Sequence, residues 1–266
     1  MTDCNALFDA MAAWPQVEAI ALGGSRAGTV FDEKSDYDVY LYCTAPVPAE
    51  QRRTLLAQFC SRMELGNHFW EYEDNCTLND GVDIDILYRD LDGFCAELAA
   101  VVEQCRPHNG YTTCMWHNLR TCKVLFDRTG RLAAAKQRFD VPYPEALRTA
   151  IVRRGWRLLR TSLPAYETQL SKALRRGDLV SVNHRTAALM ESYFDLLFAL
   201  NRQTHPGEKR LMALCRAACP LLPRDFEQNL TALFRDLFTD PARAAADLRR
   251  LLDALQTLLE QQGLAE

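Results

Sequence analysis

The sequence predicts an α+β protein. A small mixed β-sheet flanked by helices is expected over residues 1–140, followed by an all-α region over 141–266. Three observations carry this reading. Short β-rich apolar runs are confined to the first 90 residues. From about residue 145 onward no strand signal survives, and apolar residues recur at helical spacing. Between them, Asp140 to Pro144 holds two prolines and marks the boundary.

The elements follow in order. Leu7, Phe8 and Met11 give a helix over 4–13, ended by Pro15. Val17 to Leu22 is a short apolar strand, and Gly23 to Gly28 a loop or the start of a helix. Tyr37 to Tyr42 is again a strand. Leu55, Leu56, Phe59 and Met63 predict a helix over Gln51 to Glu64. Phe69 to Glu73 and Val82 to Tyr88 read as strands, with Asn79-Asp80-Gly81 as turn chemistry between them. Helices are expected at about 91–105 and 112–125. In the second half they fall at 145–162, 165–176, 179–202, 208–218, 223–238 and 241–262. Pro164, Gly177, Pro206-Gly207, Pro220, Pro223 and Pro241 separate them. The stretch 179–202 is apolar nearly all round, which makes it the expected buried spine of this half.

A chain of 266 residues with 48% hydrophobic and 25% charged residues is long enough for a substantial core. No apolar run reaches the roughly 18 residues of a membrane span. Met1-Thr2-Asp3-Cys4-Asn5 lacks a basic start and apolar stretch, so a cytoplasmic protein is expected. The ten cysteines are irregularly spaced without a Cys-x-x-Cys pair and read as reduced, mostly buried thiols. Charge is uneven, −8 over residues 1–144 and +4 over 145–266. That division fits an enzyme that holds metal on one side and phosphate on the other; it also fits solvated helix faces.

Gly23-Gly24-Ser25 and Asp36-Tyr37-Asp38 carry the chemistry. Glycines let backbone N–H groups approach a phosphate, and a following helix N-terminus favours an anion. Ser25 adds a hydroxyl and Arg26 a cation. On a strand, Asp36 and Asp38 face the same side, while Val39 and Leu41 point the other way, into the core. Two carboxylates on one face repel unless a cation lies between them, and magnesium takes such hard oxygen ligands. Two ions about 3.5–4 Å apart clamp the attacking and leaving oxygens of a phosphoryl transfer. Either motif alone is weak; their conjunction on apolar strands is stronger. A third acid belongs on a neighbouring strand. Val82 to Leu87 alternates, with Asp83 and Asp85 on one face. Asp85 lies deeper in the apolar run and is preferred as metal ligand or general base, with Asp83 the alternative.

These residues resemble the polymerase β-like nucleotidyltransferase superfamily, and most closely its antibiotic (aminoglycoside and lincosamide) nucleotidyltransferase-like branch. The matching positions are Gly24, Ser25, Asp36, Asp38 and Asp85, and the motif covers roughly residues 17–90. The resemblance implies a catalytic domain over 1–140 and a helical substrate-binding domain over 141–266. It implies transfer of an NMP, foremost AMP from ATP, to a hydroxyl of a small-molecule acceptor with two Mg²⁺ ions. Gly24 and Ser25 are then expected on the β/γ-phosphates, and Asp36 and Asp38 on the metals. It also implies a lysine from the helical domain on the triphosphate, for which Lys209 is the candidate. The acceptor, the preferred NTP and the oligomeric state are not legible.

Other features stay with plainer readings. Arg153, Arg157 and Arg160 form a solvated helix stripe. The five histidines form no metal-spaced pair, and none is assigned to catalysis. The alternatives are an antitoxin-like use of the fold, a protein- or RNA-directed transferase, and a nucleotide-binding protein without turnover. A sequence pI near 5.8 lacks the basic stripe of a nucleic-acid binder, although residues 145–177 carry eight Lys/Arg against two acids.

Overall fold

A computed structural model describes residues 4–27, 35–69 and 71–264. The chain parts into two compact units, Met1–Ala99 with Asn118–Val141, and Ala100–His117 with Pro142–Glu266.

The first unit is built on a six-stranded mixed sheet. Its strands are β1 (Val17–Leu22), β2 (Tyr37–Cys43), β3 (Cys60–Asn67), β4 (Glu73–Leu78), β5 (Asp83–Arg89) and β6 (Lys123–Asp127), in the order β3-β4-β5-β2-β1-β6. Only β2 and β5 pair in parallel. A parallel pair requires a long crossover, here supplied by α3 (Ala49–Phe59), β3 and β4. One face of the sheet is apolar. Val17, Ile20, Leu22, Val39, Leu41, Ile84 and Ile86 pack there with Leu7, Phe8 and Met11 of α1 (Cys4–Ala12) and Leu56 of α3. Side chains alternate along a strand, so Asp38, Tyr40, Asp83 and Asp85 belong to the opposite face.

The α+β class, both motif strands and the Asn79-Asp80-Gly81 turn match the sequence reading. Three local expectations do not. The helix predicted to Glu64 ends at Phe59, and β3 begins at Cys60. Met63 and Leu65 are spaced for a strand as well as for a helix, and pairing with β4 decides. The strand expected over Phe69 to Glu73 starts instead at Glu73. There the inward position of β4 holds Asp74, an acid no hydrophobic pattern places in a core. It is fully buried because Arg52, Tyr88 (2.8 Å to its hydroxyl) and the Gly66 N–H (2.8 Å) satisfy its carboxylate. The helix expected over 112–125 stops at Thr121 as α5 (Cys114–Thr121), and Lys123–Asp127 becomes an edge strand against β1.

Two further helices are α4 (Leu91–Val102), which follows β5, and α6 (Arg131–Arg138), which follows β6. Beyond them the described residues are helical. They form α7 (Glu145–Trp156), a π-helical turn (Arg157–Thr161), α8 (Tyr166–Arg176), α9 (Leu179–Leu200), α10 (Leu211–Ala218), α11 (Phe226–Asp236) and α12 (Pro241–Gln261). Asp178 caps α9 by accepting from the Ser181 N–H at 3.1 Å, and Asp240 caps α12 from Arg243 at 3.0 Å, with Pro241 in the first turn. Every residue from Ser192 to Leu200 is buried, so the C-terminal half of α9 is the spine that its composition predicts. The arginine stripe is broken by the π turn. Arg160 is largely buried and forms a two-pronged pair with Glu167 (2.8 and 2.9 Å) plus bonds to Asp253 and Gln256. All ten cysteines are free thiols, five of them buried. No helix among the described residues is long and apolar enough to cross a membrane.

Candidate active site

The site begins where β1 leaves the sheet. The Gly23 N–H donates to the Asp38 carbonyl at 2.7 Å, extending the β1–β2 pairing by one residue. The chain then makes a single helical turn, α2 (Gly24–Ala27). Gly24 has φ +58°, and a Cβ there lies 1.7 Å from Asp38 Oδ2. At Gly23 a Cβ lies 2.2 Å from the Tyr40 ring. Both glycines are therefore required by the side chains of alternate β2 residues that rise beneath the loop. Asp38 and the glycine loop, eleven or more residues apart in sequence, form one structure.

Asp38 pairs with Asp85 in the parallel β2–β5 register, and Tyr37 with Ile84. Asp36 immediately precedes β2. The register thus sets Asp38 and Asp85 side by side on the polar face, with both partly buried, while Asp83 is exposed at the start of β5. Like charges opposite one another on neighbouring strands repel, and a hard dication is the chemically suited partner for such a set. Among the described residues, no three His, Cys, Asp or Glu side chains converge closely enough to hold a metal ion by themselves. The donor set nevertheless suits magnesium. It usually takes one or two carboxylates and completes its shell with water and substrate phosphate oxygens.

Polar residues beyond the motif support this face. Asn75 on β4 pairs with Asp85 in the antiparallel register, and its Nδ2 donates to Asp85 Oδ1 at 2.7 Å. Asn67 at the end of β3 donates from Nδ2 to Asn75 Oδ1, also at 2.7 Å. Thr77 donates to Asp83 at 2.8 Å. Glu73, buried on the same face, has its carboxyl raised by burial; Asn75 opposes the shift and the Asp85 charge adds to it. Along β2 and β5, Arg89 lies 4.0 Å from the Tyr40 ring centroid and grips Glu71 through two bonds of 2.6 and 2.7 Å. Burial works against the Arg89 charge, but Glu71 and the neighbouring tyrosines raise its pKa further, so it stays cationic. The Tyr40 hydroxyl accepts from Asn118 Nδ2 at 2.5 Å. Burial, opposed by Arg89 and Asn118, pushes that phenol up.

Arg26, the cation that follows Ser25, is engaged beside the loop. Its Nε donates to the Ser35 carbonyl at 2.6 Å, and its guanidinium lies 3.9 Å from the Tyr37 ring centroid. It ties together the two ends of the segment between the motifs. Gly28 and the Ser25 side chain lie outside the described residues. Lys209 belongs to the second unit and is exposed in the turn two residues before α10. It therefore precedes the helix that it was expected to start.

A family model described as a domain of unknown function, DUF4037, matches residues 112–211. No curated protein matches. Among solved structures, the chain is similar to a nucleotidyltransferase-like protein from Exiguobacterium sibiricum 255-15. The identity is 12% and the TM-score 0.43, covering 95% of this chain and 74% of that one. An aminoglycoside 6-adenyltransferase from Bacillus subtilis has 11% identity and a TM-score of 0.28, covering 96% and 89%. A CCA-adding enzyme in complex with ATP has 11% identity and a TM-score of 0.29, covering 97% and 81%. The structural neighbours are nucleotidyltransferase-like proteins.

Proposed function

We propose that this protein is a nucleotidyltransferase that moves an NMP, AMP from ATP in the first instance, onto a hydroxyl of a small-molecule acceptor and releases pyrophosphate. The observation that supports it most is the β2–β5 register, which pairs Asp38 with Asp85 beneath a glycine that only the absence of a Cβ admits. In this reading Gly24 and Ser25 hold the β/γ-phosphates through backbone N–H and hydroxyl donors. Arg26, whose Nε donates to the Ser35 carbonyl, adds positive potential. Asp36, Asp38 and Asp85 are the carboxylates that hold Mg²⁺. The bound metal supplies neutralisation of charge on the attacking and leaving oxygens. Asp85 also accepts the proton of the acceptor hydroxyl. The acceptor's oxygen forms the new bond to the α-phosphorus as the bond to the pyrophosphate oxygen breaks. Lys209 is assigned to the triphosphate on the resemblance alone, and Lys209→Ala is expected to raise KM for ATP while kcat holds. The second-half residues that select the acceptor are not named by this reading; a hydroxyl-bearing antibiotic is one candidate class.

The first test is a thermal-shift screen of four NTPs with and without Mg²⁺, followed by pyrophosphate release across a panel of hydroxylated acceptors. Mg²⁺-dependent stabilisation by at least one NTP is expected. The double variant Asp36→Asn/Asp38→Asn is expected to keep the fold and lose turnover. No metal-dependent stabilisation by any NTP, or unchanged transfer in the double variant, overturns the reading.

A further inference from the structure

Asp85 is held by more than its own strand. Its Oδ1 accepts from Asn75 Nδ2, and Asn75 Oδ1 accepts in turn from Asn67 Nδ2, each at 2.7 Å. The three residues lie on three consecutive strands, and Asn75 faces Asp85 directly in the β4–β5 register. An ionised carboxylate only accepts, so Asn75 must turn its NH₂ toward Asp85. Its carbonyl then faces β3, where only a donor satisfies it, and Asn67 supplies one. The amide orientations are thus fixed in turn from Asp85 outward to the sheet edge. We propose that Asn75, with Asn67 behind it, is a positioning residue for the third carboxylate of the nucleotide-metal site. The relay engages one Asp85 oxygen and leaves the other for a cation or a proton. This rests on the proposed nucleotidyl transfer and deepens it by choosing Asp85 over Asp83, whose partner is Thr77.

The relay explains features that fold stability does not require. Asn67, Asn75 and Asp85 are only partly buried, so water is able to satisfy each of them without the others. Asn also has low strand propensity, yet two sit on this one face, Asn75 opposite Asp85 and Asn67 opposite Glu73. Groups that orient a metal ligand from behind typically change metal affinity or activity by about 10–100-fold when removed.

The test measures Mn²⁺ binding by electron paramagnetic resonance on the full chain in the presence of α,β-methylene-ATP, alongside metal-free binding of the same nucleotide. Asn75→Leu keeps the volume and removes the amide. It is expected to weaken Mn²⁺ binding by about tenfold, leave metal-free nucleotide affinity within about twofold, and unfold thermally as the parent does. Asn67→Asp removes the donor and forces the Asn75 amide to reverse, placing its carbonyl against Asp85. It is expected to weaken Mn²⁺ binding more than Asn67→Leu, while Asn67→Gln restores binding toward the parent. Thr77→Val, which removes the hydroxyl bonded to Asp83, is expected to change nothing. Unchanged Mn²⁺ affinity in Asn75→Leu, or a loss in Thr77→Val instead, overturns the relay and leaves the function reading standing. If Asn75→Leu weakens metal-free nucleotide binding equally, or lowers the unfolding temperature, its role is structural and the inference is wrong. If the parent protein binds no Mn²⁺ with nucleotide, the function reading fails and the relay falls with it.

Discussion

At Gly24 a left-handed backbone and a carboxylate in contact coincide. A methyl group there is strained by φ +58° and also overlaps Asp38 Oδ2. The conformational part costs about 1 kcal/mol, and the overlap is relieved only by turning the Asp38 carboxylate away. Gly24→Ala is therefore expected to lower kcat far more than stability. Steady-state pyrophosphate release beside urea unfolding checks this, and equal retention of both would show that Asp38 does not act from its observed position. Sequence alone made these residues visible because both motifs are local: two glycines in a row, and two acids with period-two spacing. It did not single out Tyr40, two residues beyond Asp38 on the same face, whose place under Gly23 only the structure shows. It did not expose Asn75, whose strand has Asp74, Cys76 and Leu78 facing inward and so lacks a hydrophobic signature.

At the scale of elements, the polar face depends on pairs that tie strands to loops. Arg89 closes β5, stacks on Tyr40 under Gly23, and holds Glu71 in the segment leading to β4. The Arg89 side chain is 5% exposed and that of Glu71 28%, so both are well shielded from solvent. Breaking such a pair from one side leaves a charge without compensation, which costs about 3 kcal/mol where burial is deep and less here. Arg89→Met is expected to destabilise the protein by about 2 kcal/mol and weaken nucleotide binding through a looser Tyr40. Glu71→Gln is expected to be milder, because the amide oxygen still accepts. Chemical unfolding of the two variants ranks them, and a larger loss in Glu71→Gln contradicts the pairing. The sheet around this pair was half legible. Apolar β1, β2 and β5 announced themselves, whereas β3 shares its spacing with a helix and β6 follows α5 with Cys122 alone between them. Pairing partners decided those strands, and partners are distant in sequence.

Across the molecule, buried ionisable groups outside the proposed site shape the response to pH, and two of them oppose each other within the second unit. Asp195 on α9 is buried and accepts from the Thr112 N–H (2.9 Å) and hydroxyl (2.7 Å). Burial, opposed by those two bonds, still raises its pKa to about 6. His205 is fully buried between Tyr111 and Phe198, with its Nδ1 accepting from the Gly207 N–H at 3.2 Å and its Nε2 without a partner among the described residues. Burial first, then the neighbouring His117, lowers its pKa to about 4. Neither residue lies in a periodic or paired pattern that marks it in the sequence. Unfolded Asp195 titrates near 3.9. Between there and pH 6 the folded protein holds the extra proton, and its contribution falls as pH rises, by up to about 1.4 kcal/mol per unit. Unfolded His205 titrates near 6.5. Between pH 4 and there the unfolded chain holds the extra proton, and stability rises with pH at a similar slope. The two slopes offset one another from about pH 4 to 6. Asp195→Asn is therefore expected to make stability climb more steeply with pH than in the parent, and His205→Gln to make it climb less or fall. Urea unfolding of the three proteins at pH 4.5, 5.2 and 6.0 measures the difference in slope. Parallel lines for parent and variants would mean that neither group changes protonation on folding, and a reversed order would mean that the two burial effects have been assigned the wrong sign.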